Sequence, residues 1–362
     1  MTLVAPGVVA MPSKKSEILP LTGIRGVAAM WVVIFHLFGT LAARVWLNVP
    51  EPGIVTNIVL GGSTFAVDTF FILSGYIMAE TYGRQSRTMT FLLHRAARVL
   101  PLHFVVLGAL AAGVGLLEYF EIYPEDESFF SWDALPYHVV LVNVWFGLQG
   151  WNGPTWSLNS EFAAYLTFPV LQVIRRRFGE AELFGLALLF VIFDFSMLAT
   201  DGFKAVGLAA IGRGLFGFGA GAMLRYSTNR RPLPHWLPVV CVAVIVFIAC
   251  VNAYEFAIFP TAALIVSLGG TREGVVHNVL SARIFVWLGR ISYSVYLVHT
   301  PILLAASQVL RRLIVLHELH IGVLTSVVLY LLILLAMAEM TWRYVEMPAR
   351  RAIRRAWEAH DC

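Results

Sequence analysis

About ten apolar runs, most of them near twenty residues long and bounded by charged or polar residues, follow one another along this 362-residue chain. They lie near 20–43, 63–81, 99–117, 156–174, 182–199, 205–224, 236–253, 256–270, 291–310 and 321–342. A helix needs roughly 20 such residues to cross the ~30 Å hydrocarbon core of a bilayer. In that core each segment must satisfy its own backbone N–H and C=O groups, which selects helices and excludes open sheets. The expected fold is all-α: a polytopic transmembrane bundle of about ten spans. Composition agrees, with 59% hydrophobic and only 13% charged residues, about half the charged share of soluble domains. A mean hydropathy of +0.76 leaves too little polar material to cover a soluble surface.

Charge fixes the expected sidedness, because Lys and Arg in short loops favour the cytosol. Alternate threading puts Arg84, Arg87, Arg95, Arg98, Arg175, Arg176, Arg177, Arg225, Arg230, Arg231, Arg343 and the tail arginines Arg350, Arg351, Arg354 and Arg355 on one side. The acidic stretch "EYFEIYPEDESFFSWD" (118–133) falls on the other. Lys14 and Lys15 precede the first run, so both termini are expected in the cytosol. Arg311 and Arg312 are the exceptions and fall outside in this threading. The stretch "PYHVVLVNVWFGLQG" is too short to span and reads as re-entrant or as part of the outer surface. No basic region precedes the first short apolar run, so no cleavable signal peptide is expected. The expected organisation is a cytosolic segment 1–19, a membrane domain 20–348 and a basic cytosolic tail 349–362. Cys241, Cys250 and Cys362 are too few for a disulfide framework or a zinc site, and no metal is expected.

A charge inside a span costs at least a few kcal/mol, so each needs a partner, an aqueous interior or a boundary position. "RGVAAMWVVIFH" holds Arg25 and His36 eleven positions apart. That is three turns plus roughly 20°, so both side chains share one face, with roughly 16 Å between them along the axis. Arg25 alone would also suit a snorkelling position at the helix start. Asp68, in "FAVDTFFILSGYIM", either borders its helix or faces the interior, and Ser74–Gly75 permits close packing. Arg95 and Arg98 in "FLLHRAARVLPLH" share a face at i, i+3; they are either topology signals or a fork for phosphate oxygens. Glu161, in "GPTWSLNSEFAAYL", lies one turn from both Ser157 and Tyr165. Ser292, Tyr296 and His299, in "GRISYSVYLVHTP", form a polar stripe of the kind that faces a cavity or another helix. Glu346, in "WRYVEMPARR", is available to nearby arginines. Gly212, Gly214 and Gly217 spell G-x-G-x-x-G, but no strand precedes them. With Gly221 they read as helix packing, and Arg213 among them as a cavity-facing charge.

Taken together, R-x10-H, "VDTFFILSG", "RAARVLP", "PTWSLNSEF", "GRISYSVYLVHTP" and "RYVEMP", in this order between Leu21 and Pro348, resemble the membrane-bound acyltransferase 3 family. The resemblance implies an integral O-acyltransferase of about ten helices in the bacterial inner (plasma) membrane. Such a protein moves an acyl group, typically acetyl, from cytosolic acyl-CoA to a hydroxyl of a cell-surface or secreted glycan or a small natural product. Acetyl-CoA is then a co-substrate, with no tightly bound cofactor and no nucleic-acid partner. His36 is implied as general base, with Arg25 stabilising the thioester oxyanion or positioning the donor; direct transfer is preferred to an acyl-histidine. Arg95 and Arg98 are implied to hold the donor phosphates. Asp68, Glu161, Tyr296 and His299 are implied to orient His36 or bind the acceptor. The family often has two arginines where this chain has "HRAAR", so His94 replaces one cation. A hydrolase-like outer domain, which some members carry, is not expected here. Read without the resemblance, buried Arg, His and Asp also suit a transporter or lipid-linked glycan flippase, although no internal repeat is visible.

Overall fold

The computed structural model describes residues 17–39, 54–83, 87–122, 127–201, 207–228, 233–251, 253–317 and 323–360. Among these residues the fold is all-α, as expected. The longer helices are α1 (Leu19–Gly39), α2 (Ile54–Tyr82), α3 (Thr88–Tyr119), α5 (Thr155–Arg177), α6 (Glu180–Asp201), α7 (Gly207–Thr228), α8 (Leu237–Cys250), α9 (Ile258–Gly270), α11 (Arg283–His317), α12 (Val323–Thr341) and α13 (Met347–His360). Two short ones, α4 (Leu135–Val139) and α10 (Val275–Leu280), lie between them. Among the described residues four segments are both long and apolar enough to cross a membrane: Leu19–Phe38, Thr88–Tyr119, Gly207–Thr228 and Thr325–Ala359. That is fewer than the about ten spans expected. Several of the other helices carry the ionisable residues discussed below, among them Glu161 on α5 and Asp194 on α6, while α8 and α9 are apolar but short.

The stretch "PYHVVLVNVWFGLQG" forms α4 and a 3₁₀ turn, Asn143–Phe146, closed by Gly147 at a φ of 70°. It does not make a spanning helix. Helix α3 begins well before the apolar run at 99–117, so Arg95 and Arg98 stand on the helix itself. Lys14, Lys15, Arg84, Arg230, Arg231 and Cys362, and the side chains of Arg311 and Arg312, lie outside the described residues. Cys241 is buried and Cys250 half-buried, and neither is in a disulfide. A single π-helical turn, Trp342–Glu346, leads from α12 into α13. Helix α13 packs on α3.

Lipid tails are as apolar as leucine, so close packing and hydrogen bonds hold membrane helices together. Helix α7 shows how the glycine-rich sequence serves this. A Cβ on Gly221 would lie 1.9 Å from the Ile72 carbonyl oxygen of α2, and one on Gly75 of α2 would lie 1.9 Å from that of Phe218. Gly214 meets Ser160 of α5, and Gly219 meets Phe190 of α6. Gly214 of the G-x-G-x-x-G string, with Gly219 and Gly221 beyond it, thus makes α7 a many-sided packing surface.

Helices α1 and α11 run parallel and touch backbone to backbone. A Cβ on Gly26 would lie 2.6 Å from the Gly289 nitrogen, and one on Gly289 would lie 1.9 Å from the Thr22 carbonyl oxygen. Glu17, just before α1, locks the same end through a 2.8 Å ion pair with Arg290 and a 3.0 Å hydrogen bond from Thr22. Partial burial pushes the Glu17 carboxyl up, and its hydrogen bonds from Arg290 and Thr22 more than offset that, holding it below the usual carboxylate range.

The α1–α11 contact generates a stability prediction. Gly289→Ala must push the two helices apart, at a cost of about 1–3 kcal/mol. Gly113→Ala on α3, with nothing within 4 Å of its added Cβ, should be neutral or gain up to ~1 kcal/mol from helix propensity. Thermal denaturation of both variants in detergent checks the contrast; equal melting temperatures would contradict the described packing.

Candidate active site

The parallel register of α1 and α11 builds the site. Arg25 donates from Nε and Nη2 to the Gly289 carbonyl oxygen, at 3.0 and 2.5 Å. Three turns further along both helices, His299 Nε2 stands 3.3 Å from His36 Nδ1, with ring centroids 4.9 Å apart. The R-x10-H spacing on α1 is matched by the ten-residue step from Gly289 to His299 on α11. Each step is close to three turns, so both contacts fall on one interface.

The hydrogen bonds assign the protons of this histidine pair. His299 Nδ1 is 2.7 Å from the Tyr296 carbonyl oxygen, and His36 Nδ1 is 2.9 Å from that of Val32. Carbonyl oxygens only accept, so both Nδ1 atoms carry hydrogen. His299 Nε2 is then a lone pair that receives the His36 Nδ1–H as a second acceptor. The assignment follows from the network, and it leaves His36 Nε2 without a proton. When that nitrogen takes one up, the Nδ1–H on the far side of the ring keeps both acceptors. His299 is 0% exposed, and Tyr330 of α12 donates to its carbonyl oxygen at 3.1 Å. His36 itself is only half-buried.

Tyr296, one turn before His299, shares a 2.6 Å hydroxyl–hydroxyl bond with Ser157 and donates to the Pro154 carbonyl oxygen at 2.9 Å. These bonds tie the start of α5 to α11. Glu161, one turn further along α5, accepts from Ser74 at 2.7 Å and Tyr165 at 2.6 Å on one oxygen. Beyond it lies Arg95, buried, donating to the Tyr82 hydroxyl at 3.4 Å and lying 5.5 and 5.9 Å from the Tyr82 and Tyr165 ring centres. Arg25 lies within electrostatic reach of Arg98, Glu346 and Glu161. The π turn carries Glu346 inward, where Ser294 donates to its carboxylate at 3.1 Å. Arg25, His36, Ser74, Arg98, Glu161 and Tyr293 all keep partial exposure inside the apolar bundle. A polar interior therefore runs from the arginines to the histidine pair. By contrast, a recess of about 320 Å³ lined by Val27, Trp31, Ile245, Leu264 and Val276 presents only apolar surface.

Asp68 stands apart from His36. Arg213 of α7 donates to it at 2.6 Å, with side-chain exposures of 1% and 2%. Asp194 of α6, fully buried, adds a second carboxylate within electrostatic reach of both. Trp156 covers the guanidinium, with its ring centre 5.6 Å from the central carbon. Arg213, which its sequence position suggested would face a cavity, is instead sealed in an ion pair. Of the residues singled out above, the structure brings His36, His299 and Tyr296 to one end of the polar interior and Arg25, Arg95 and Arg98 to the other. Glu161 stands between, and Asp68 is diverted into the cluster with Arg213. Sequence reasoning passed over Asp194, although a lone carboxylate in the apolar run "ALLFVIFDFSML" was a signal for it. Among the described residues no group of His, Cys, Asp and Glu is arranged to hold a metal.

Comparisons with known proteins point the same way. The family described as "Acyltransferase domain" matches residues 19–338. "Acyltransferase MdmB" of Streptomyces mycarofaciens is 32% identical over 181 residues, covering 49% of this chain and 45% of that protein. "Putative peptidoglycan O-acetyltransferase YrhL" of Bacillus subtilis is 25% identical over 380 residues, covering 91% of this chain and 54% of that protein. "Nodulation protein 10" of Rhizobium leguminosarum bv. viciae is 26% identical over 171 residues, covering 44% and 45%. The chain spans about half the length of these relatives. No solved structure matches it.

The Asp68–Arg213–Asp194 cluster makes its own prediction. Arg213→Met strands two buried carboxylates, and removing one partner of such a group costs about 3–5 kcal/mol. Adding Asp68→Asn should return most of that loss, because the second change removes a charge left unbalanced by the first. Melting temperatures of the singles and the double provide the check; simple additivity would show that the three residues do not act as one cluster.

Proposed function

This chain belongs to the acyltransferase family matched over residues 19–338, and on that premise we propose that it moves an acetyl group from cytosolic acetyl-CoA to a hydroxyl of a surface or secreted glycan. That it is an integral membrane O-acyltransferase follows from the family and its relatives. A transporter or flippase without acyl-transfer chemistry is set aside on the same ground. The acetyl donor and glycan acceptor are inferences, supported by the printed name of the Bacillus relative and by the chemistry of the site.

The observation that carries the mechanism is the unprotonated Nε2 of His36, held by the hydrogen bonds of Nδ1 to Val32 and His299. Nε2 removes the acceptor hydroxyl proton as that oxygen attacks the thioester carbonyl. The tetrahedral intermediate then expels the coenzyme A thiolate, which takes the same proton from Nε2. The C–S bond breaks, a C–O bond forms, and the products are the ester and free thiol. His299 is a positioning residue, fixing the tautomer and ring plane of His36 from a fully buried site. Tyr296 and Glu161 line the path and orient the acceptor and donor arm.

Distance assigns Arg25. An oxyanion donor must stand about 2.7–3.1 Å from the developing charge, whereas Arg25 lies roughly 16 Å from His36 along α1. Arg25 therefore steers the donor, and Arg95 and Arg98 grip its phosphates at the same end. The concentration of arginines at that end supports placing it, and both termini, in the cytosol.

His36→Ala should abolish transfer while leaving the melting temperature close to wild type. His299→Phe keeps the ring volume but removes the acceptor for Nδ1–H; it should lower kcat by about 10²-fold with little change in KM for acetyl-CoA. Purified protein, radiolabelled acetyl-CoA and extracted surface glycan provide the assay, read as labelled product and free coenzyme A. Near-normal transfer by His36→Ala at matched expression would remove the catalytic assignment.

A further inference from the structure

The basic C-terminal stretch, expected from sequence only as a tail on the cytosolic side, is the helix α13, and it docks on the arginine end of α3. Trp357 Nε1 donates to Thr90 Oγ1 at 3.2 Å. Arg350, Arg354 and Trp357 recur at i, i+4 and i+7, so they share one helical face. All three are half-buried, while Arg351 and Arg355 are exposed. Arg350 lies within electrostatic reach of Arg98, Arg354 and Arg95. Arg354 is likewise within reach of Arg95 and Arg98, and His94 of Arg354, Arg95 and Arg350. Facing these cations are the Glu346 carboxylate, which also serves Arg98 and Arg25 and already accepts from Ser294, Glu358 near Arg354, and Glu161 near Arg95, which already accepts from Ser74 and Tyr165.

Four guanidinium groups are therefore crowded together with a deficit of negative charge. Their donors are also left over: Arg95 Nε, Arg354 Nε and His94 Nε2 are buried and have no hydrogen-bond partner among the described residues. A buried donor without an acceptor is costly, and a cluster of them among like charges calls for an anion with several oxygens. Paired guanidiniums fit phosphate oxygens in that way.

We propose that α13 completes a phosphate site, in which Arg350 and Arg354 join His94, Arg95 and Arg98 of α3 to bind the phosphates of the coenzyme A donor. The proposal rests on the acyl-CoA reading given above. The chain must then fold its C-terminal helix back onto α3 before the donor can be held tightly.

The test uses the full-length protein in neutral detergent, with acetyl-CoA and acetyl-pantetheine, which lacks the nucleotide phosphates, as alternative donors. Arg350→Gln with Arg354→Gln should raise KM for acetyl-CoA about ten-fold, equivalent to ~1.4 kcal/mol, with kcat little changed. Turnover of acetyl-pantetheine should stay at the wild-type level, which also shows that the variant is folded. Lysine at both positions should recover part of the loss. Glutamine at Arg351 and Arg355, on the exposed face, should change nothing. An unchanged KM for acetyl-CoA in the Arg350/Arg354 variant, alongside a raised one in Arg98→Gln, overturns the role of α13 and leaves the acyl-CoA reading intact. Equal loss with both donors overturns it too, since α13 would then be a structural brace. Loss of binding to anionic-lipid vesicles with KM unchanged assigns the site to lipid headgroups and overturns it in favour of that source. A wild-type protein that uses neither donor overturns the acyl-CoA reading itself and the proposal with it.

Discussion

The parallel contact between α1 and α11 is the constraint on which the rest of the site depends. Gly26 and Gly289 remove the side chains that would hold the two backbones apart. Arg25 then reaches across to the Gly289 carbonyl oxygen, which also accepts from Ser292 at 2.9 Å. Once that end is fixed, the next contact follows from helix geometry alone. Sliding α11 by one residue would turn its face by about 100° and carry His299 off the interface. The glycines therefore act on His36 at a distance of three turns: they hold the register in which its Nδ1 finds His299.

Two clusters of charge share the bundle and are built on opposite principles. Asp68, Arg213 and Asp194 are sealed, with no more than 2% side-chain exposure for the ion pair and none for Asp194. The Arg213–Asp68 ion pair ties α7 to α2, with Asp194 of α6 held buried within electrostatic reach, and a group sealed in this way offers nothing to a substrate. The other cluster has the reverse balance. Arg95, Arg98, Arg350 and Arg354 outnumber Glu161, Glu346 and Glu358 near them, and three of its buried donors lack acceptors. Folding alone does not explain such an arrangement, since like charges brought together cost free energy. An anionic ligand does.

What the sequence made legible follows the reach of local rules. Apolar runs locate helices because the period and the bilayer thickness are fixed, and the shared face of Arg25 and His36 follows from 100° per residue. The polar stripe of Ser292, Tyr296 and His299 was visible for the same reason. Partners across the bundle were not. Asp68 and Arg213 are 145 residues apart, as are Glu80 and Arg225, which pair at 2.5 Å. Nothing local distinguishes an acid that meets a histidine from one that meets an arginine; helix packing decides. The docking of α13 was hidden similarly. Four arginines in six residues look like a topology signal, and only the contact with α3 separates the inward pair from the outward one.

The distance between the two ends of the polar interior has a physical reason on the proposed reading. The donor's phosphates cannot enter an apolar bundle, because moving an ion out of water without a partner costs many kcal/mol. They must stop where the arginines stand, at the end of α3. The pantetheine arm carries no charge and hydrogen-bonds through amides and a hydroxyl, so it can be threaded past Glu161, Ser74 and Tyr165. The thioester then meets a base far from the cations that hold the rest of the molecule. A histidine beside the arginines would be surrounded by phosphate and closed to an acceptor from the opposite face. At His36, roughly 16 Å further along α1, the nearest fixed partners are a neutral imidazole and backbone carbonyls. Gripping and reacting are thus separated by the length of three helical turns, and the R-x10-H spacing is the measure of that separation.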